Sequence, residues 1–222
     1  MLETDFRRFR FSKLNTDEFR HLKLLIFWPI FGLFFTFVER FYNVGHYYSM
    51  HCPLDDMIPF CEWFLIPYLL WFVYLIVYTF FFDVAAFKRM MYFIIITYSI
   101  TMLIYLVFPT CQDLRPTQFA RDNVLTRFVA WFYNFDTNTT VCPSIHVLGS
   151  VAAMLGLCDC RRLQNPKLKL LFILLCVLIC ISTVFMKQHS VLDVLAALPL
   201  CVIAYPICYK AGRHEKVSAV QL

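Results

Sequence analysis

Glycine is scarce in this chain, five in 222 residues, whereas phenylalanine alone supplies twenty-five. That balance excludes a disordered or low-complexity polypeptide, and no internal repeat is present. Charge is also thin, at 16% of residues, while 60% are hydrophobic and 18% aromatic. No loop is long enough to hold a soluble domain. A chain of this length and apolarity reads as one membrane bundle rather than two soluble domains. A signal-peptide cleavage site is lacking too: no small-residue site follows the first apolar run, which is therefore expected to remain as a membrane anchor.

What is present is a series of six apolar runs, Leu22–Val38, Trp63–Phe82, Met91–Phe108, Ile145–Leu157, Leu168–Phe185 and Val191–Tyr209. A bilayer core of about 30 Å calls for roughly 20 helical residues, with about 17 as the lower end. Ile145–Leu157 is short, but Gly149, Ala152, Ala153 and Gly156 give it the small-residue spacing that lets membrane helices pack closely. The expected fold is all-α, a polytopic six-transmembrane-helix bundle formed by a single integral membrane domain over residues 1–222.

Basic residues orient this bundle, because cytoplasmic loops collect Lys and Arg. Six spans put fifteen of the twenty basic residues on one side: six between Arg7 and Lys23, then Lys88, Arg89, Arg161, Arg162, Lys167, Lys169, Lys210, Arg213 and Lys216. Arg40, Arg115, Arg121, Arg127 and Lys187 fall on the other. Both termini are thus expected in the cytoplasm, with 1–21 as a basic N-terminal segment and 210–222 as a tail. The net charge of +5 then lies where anionic lipid attracts it, and no basic stripe is left for nucleic acid. Ten cysteines lie mostly in or near spans, where cysteine is a small hydrophobe. Cys52, Cys61, Cys111 and Cys142 fall on the outer side, with pairing undetermined.

The chemistry-bearing residues gather on that outer side. His189 and Asp193 are four apart at the start of the last span, a spacing that stacks them on one helix face. A carboxylate on one imidazole nitrogen fixes the tautomer and raises the basicity of the other, as a nucleophilic or general-base histidine requires. The plainer alternative is that Asp193 caps the helix. His146 follows Pro143 and Ser144 at the start of the fourth span. Ser144 is a suitable N-cap, and a helix N-terminus there favours anions such as phosphate. Arg115 and Lys187 add cations that suit phosphate, Arg115 through its fork of donors. Two histidines and an aspartate also fit a zinc pattern, but the adjacent Arg and Lys disfavour a bound cation, so no metal and no cofactor is expected.

At these residues the sequence resembles the type 2 phosphatidic acid phosphatase superfamily. The match covers Phe108-Pro-Thr with Arg115-Pro116, then Pro143-Ser-Ile-His146, then Ser182-Thr-Val-Phe-Met-Lys-Gln-His189 with Asp193. It looks closest to the branch of inositol phosphorylceramide and sphingomyelin synthases. The resemblance implies a catalytic core over about 63–209, His189 as the nucleophile oriented by Asp193, and His146 protonating the leaving oxygen. It further implies that Arg115, Ser144 and Lys187 bind the phosphoryl oxygens, without a metal. Phe108, Ile145 and Thr183 depart from the phosphatase pattern, which has Lys, Gly and Arg there, as the synthase-like branch also does. The expected activity is a lipid phosphatase or phosphotransferase whose site is extracytoplasmic or lumenal. Its partners would be a lipid phosphate or phospholipid substrate and the bilayer; homo-oligomerisation is left open. The alternatives are a non-catalytic lipid or anion transporter and a metal-dependent membrane hydrolase.

Overall fold

The computed structural model describes residues 4–42, 44–79 and 83–210. The end of the expected Trp63–Phe82 run and the tail with Arg213 and Lys216 lie outside these residues. Helix makes up 70% and strand 3%, in keeping with an all-α chain. The elements are α1 (Phe27–Arg40), β1 (Tyr48–Ser49), α2 (Pro53–Met57), α3 (Leu65–Thr79), α4 (Val84–Val107), β2 (Thr110–Cys111), α5 (Val124–Phe135), α6 (Ile145–Asp159), α7 (Pro166–Phe185) and α8 (Val191–Tyr205). A 3-10 segment, Arg20–Ile26, leads into α1, and a π segment, Pro206–Lys210, extends α8.

Among the described residues, four helical stretches are long and apolar enough to cross a bilayer unaided: Arg20–Arg40, Val84–Val107, Pro166–Phe185 and Val191–Lys210. The described apolar part of the α3 region, Glu62–Tyr74, and α6 are shorter. The helices turn much of their apolar surface outward. Leu170, Leu174 and Val177 of α7 and Leu195, Val202 and Ile203 of α8 are all exposed. Water would penalise such a surface, whereas lipid does not, and helices satisfy their own backbone groups in lipid. The chain is an integral membrane protein.

Contacts at the helix ends show that the six apolar helices alternate in direction. At one end, Glu39 near the close of α1 accepts from Thr137 Oγ1 (2.7 Å), and Cys61 N just before α3 donates to Phe185 O at the close of α7 (3.1 Å). There too Ser144 N, at the head of α6, donates to Asp193 O in the first turn of α8 (3.1 Å). At the opposite end, Arg89 pairs with Asp159 at 2.5 Å, joining the start of α4 to the close of α6. Every motif identified above lies at the first of these ends.

The core sits among α3, α4, α6 and α8, with Trp71, Phe93, Ile94, Tyr98, Leu148, Ala152, Ala153, Ala197 and Cys201 in one buried cluster. Two α4 tyrosines, seven residues apart and so on one helix face, anchor the head of α6 from below. Tyr98 OH donates to Ile145 O (3.0 Å) and Tyr105 OH to Pro143 O (2.7 Å). The small-residue face of α6 makes this possible. A Cβ on Gly149 would lie 2.5 Å from Tyr98 Oη and 2.8 Å from Trp71 Nε1. Gly149→Ala should therefore force Tyr98 off its carbonyl and cost about 1–3 kcal/mol, the usual range for overpacking. The loss would be read as a lowered denaturation midpoint in detergent; an unchanged midpoint would mean that Trp71 and Tyr98 have room to give.

Candidate active site

The N-terminus of α8 builds the first half of the site. Ser190 caps the helix, its Oγ accepting from Leu192 N (3.1 Å), and Asp193 Oδ2 returns the cap by accepting from Ser190 N (2.9 Å). The same Oδ2 lies 3.1 Å from His189 Nδ1. Asp193 therefore both caps and orients, and the two interpretations of the sequence merge in one atom. With Nδ1 engaged, Nε2 is the nitrogen His189 has left for chemistry. Asp193 is fully buried and His189 nearly so.

The head of α6 supplies the other half. Ser144 caps it, with Oγ accepting from Val147 N at 3.4 Å. His146 lies between the rings of Tyr68 (4.5 Å) and Trp71 (4.4 Å), and its centroid is 5.6 Å from that of His189. Neither ring nitrogen of His146 has a hydrogen-bond partner among the described residues, although both are buried. Buried polar atoms are nearly always satisfied, so a histidine with two orphaned nitrogens beside an oriented second histidine marks a place for a ligand. Both rings line a cavity with Phe35, Tyr68, Asp136 and Gln188. Its free space of about 30 Å³ is enough for about two ordered waters or a small polar group.

The cations lie behind this cavity, each committed to oxygen atoms of the chain. Arg115 donates to the carbonyls of Tyr133 (3.0 Å), Asp136 (2.7 Å) and Thr137 (2.7 Å) and to Gln188 Oε1 (2.6 Å), with its guanidinium 4.7 Å from the centre of the Tyr133 ring. Only its Nε is left without a partner among the described residues, as is Gln188 Nε2. Lys187 directs Nζ to Asp55 O at 2.7 Å. It ends α7 in a left-handed conformation (φ 52°) that normally favours glycine. Thus His146, His189 and Asp193 converge, Ser144 caps the helix beneath them, and Arg115 and Lys187 brace the surrounding loops.

The departures from the phosphatase pattern are also visible. Phe108 stacks on Tyr48 at 4.3 Å on the surface, and Thr183 returns its hydroxyl to Cys180 O of its own helix. Asn138 spends its side-chain amide on Gln112 O (2.8 Å) and Asp113 Oδ1 (3.1 Å). All ten cysteines are free.

Residues 91–215 match the model of the PAP2 superfamily. The chain belongs to the PAP2 superfamily. No curated protein and no solved structure matches it significantly. Membership points to phosphatase or phosphotransferase chemistry on lipid phosphates. The matched PAP2 region takes in Arg115, Ser144, His146, Lys187, His189 and Asp193.

Asp55 lies outside the PAP2 match, and no motif singles it out among the acidic residues of its loop. It is fully buried. Its Oδ2 accepts from Ser190 Oγ (2.6 Å) and Cys52 N (2.8 Å), and its Oδ1 from Val191 N (2.8 Å). Burial alone would raise its pKa, but these donors outweigh burial and hold the carboxyl below the usual range. The one local signal is a proline at the first position of the short helix that follows Cys52.

Replacing Asp55 by Asn keeps the shape but turns a donor toward at least one of these N–H or O–H groups. The cost should be about 1–3 kcal/mol, the usual penalty for an unsatisfied buried polar group. The sign with pH follows from the depressed folded-state pKa: the stabilisation is complete above the unfolded value of about 3.9 and is lost as pH falls through the folded value. Denaturation midpoints between pH 3 and 7 should converge for wild type and Asp55→Asn at the acid end. A constant gap across that range would remove the carboxylate's charge from the account.

Proposed function

We propose that this protein is a membrane-embedded lipid phosphatase or phosphotransferase that works through a histidine nucleophile, His189, at a site facing away from the cytoplasm. The observation that carries this reading is the pairing of an Asp193-oriented His189 with a second histidine whose two ring nitrogens are unpartnered. His189 Nε2 attacks phosphorus while Asp193 holds the Nδ1 proton and stabilises the charge that develops on the ring. The phosphorus–oxygen bond to the leaving alcohol breaks, and His146, protonated against the negative charge of the bound phosphate, gives that oxygen a proton. Water, or the hydroxyl of a second lipid, then attacks the phosphohistidine, returning a proton to His146 and freeing His189.

Phosphate oxygens are held by the first-turn amides of α6, by Gln188 Nε2 and by the Arg115 guanidinium, in the positioning and charge stabilisation on which phosphoryl transfer depends. Ser144 shapes that turn as its cap. Lys187 contributes through Asp55 and its field. The basic residues at the opposite end of the bundle support the outward-facing site and cytoplasmic termini. Phe108 and Thr183 stand where the phosphatase pattern has two cationic ligands, and Ile145 where it has glycine; these departures support the synthase-like branch and leave water or a lipid hydroxyl as acceptor.

Lipid-phosphate turnover should persist in excess EDTA and disappear in His189→Ala. His146→Ala should slow alkyl esters by about 10²–10⁴-fold, the usual range for a general acid, and slow an aryl phosphate with a good leaving group much less. Equal losses on both esters would deny His146 the acid role, and turnover by His189→Ala would end the nucleophile assignment. Absence of any turnover or head-group exchange by folded protein would favour the transporter reading instead, and loss of turnover in EDTA the metal-dependent one.

A second expectation concerns Asp136, whose carboxyl is pushed up to about 6, chiefly by burial, with Arg115 opposing. Below that pH it is neutral; above it, a negative charge lines the cavity and repels an anionic ester. KM for a lipid phosphate should therefore rise through pH 6, and Asp136→Asn should flatten the rise. An identical profile in the variant would assign the pH dependence to the histidines alone.

A further inference from the structure

The cavity between the two histidines has room for a head group only, and its wall is not polar all the way round. Phe35 of α1 forms its apolar side. Phe35 stacks on Phe31 at 5.9 Å, one turn further from the site. Phe31 in turn lines a groove between α1 and α4, with Ile30 and Phe34 beside it and Ser99, Met102 and Leu103 opposite. That groove holds about 280 Å³ of free space. Ile30 (59% exposed) and Leu103 (62% exposed) form its lips, so it opens sideways from the bundle into the surroundings that the apolar helix surfaces meet.

Groove and cavity share one apolar seam. Met102, from the groove, belongs with Val38 and Tyr105 to a buried cluster against which Phe31, Phe35 and Ile145 pack. Phe35 and Ile145 line the cavity. The two also lie at one depth, because Tyr98, next to Ser99, bonds Ile145 O beside His146. A second apolar groove, between α6, α7 and α8, is larger at about 400 Å³ and, like the first, shares no lining residue with the cavity. What favours the first is the ring stack from Phe31, which lines it, to Phe35, which lines the cavity.

We propose that the α1–α4 groove is the berth of an acyl chain of the lipid whose phosphate occupies the His146–His189 cavity. The substrate is then a long-chain lipid phosphate that enters laterally from the bilayer past Phe31 and Phe35. The chain stays in apolar surroundings throughout, and only the head group passes the seam. This inference rests on the cavity being a phosphate site, and it names the part of the substrate that the chemistry leaves undefined.

The test uses full-length protein in lipid nanodiscs. His189→Ala is photolysed with phosphatidic acid bearing a diazirine midway along one acyl chain, and with the matched diacylglycerol, which lacks the phosphate. Adducts on 27–34 or 99–103 that need the phosphate, and that Ser99→Trp or Leu103→Trp abolishes, are expected. In parallel, Ser99→Trp in the otherwise native enzyme should raise KM for long-chain phosphatidic acid at least several-fold. It should leave kcat/KM for a water-soluble short-chain phosphate ester unchanged. Both positions are exposed, so the bulky side chain has room on the surface and folding can be checked by the short-chain rate.

Equal labelling by both probes, or phosphate-dependent labelling confined to the α6–α7–α8 groove, would overturn the berth. So would turnover indifferent to Ser99→Trp and Leu103→Trp. Phosphate-dependent adducts in the α1–α4 groove of a protein that turns over no ester would uphold the berth and remove only the phosphohistidine chemistry.

Discussion

A charge taken out of water must be met by donors or it destabilises the fold, and Asp55 shows how far that requirement reaches here. Its carboxylate is met from two directions, by Cys52 N within its own loop and by Ser190 Oγ and Val191 N at the head of α8. Lys187 closes the ring from the end of α7 by donating to the Asp55 carbonyl. Removing the carboxylate would leave the cap of α8 unheld, and that cap shares an oxygen with the His189 contact. Helix initiation and the geometry of the proposed nucleophile are therefore one structural problem with one solution. The left-handed conformation of Lys187 fits the same account, since the side chain that reaches Asp55 is what a glycine there would lack.

Around this braced frame the polar groups fall into two populations. Arg115 and Gln112 spend their donors on loop carbonyls, and Asn138 does the same, so the loops over the site are tied down. The unpartnered atoms, by contrast, include both nitrogens of His146 and Gln188 Nε2, which line one cavity, and Arg115 Nε behind it. That contrast sets the cavity apart from a polar core that is merely satisfied.

What could be read from sequence was what depends on local spacing. His189 and Asp193, four apart on a helix, had to meet if the helix formed, and alternating apolar runs had to return His146 to the same end. The small residues of α6 announced a close neighbour, which proved to be Tyr98 and Trp71 over Gly149. What could not be read was anything whose partner is distant. Asp55 meets Ser190 across 135 positions, and no pattern within either segment points to the other. The carbonyl acceptors of Arg115 were as hidden, because they lie at and just after the end of α5, a helix between the third and fourth apolar runs. Its caps, Asn123 and Thr126, were present but lay in a stretch too polar at its start to suggest a helix.

The brevity of α6 has a consequence for the lipid itself. Fifteen residues of helix measure about 22 Å, whereas the twenty of α7 measure about 30 Å, the thickness of a bilayer's hydrocarbon core. The ring of His146 nevertheless sits 5.6 Å from that of His189, whose backbone N–H bonds Thr183 O in the last turn of α7, so the head of α6 meets the close of α7 rather than stopping beneath it. The missing length of α6 therefore falls at the opposite end, where Arg161 and Arg162 follow it directly in the short stretch 160–165. A bilayer around this chain must thin or dip on that side to meet them, which makes the short helix a mould for the lipid next to it.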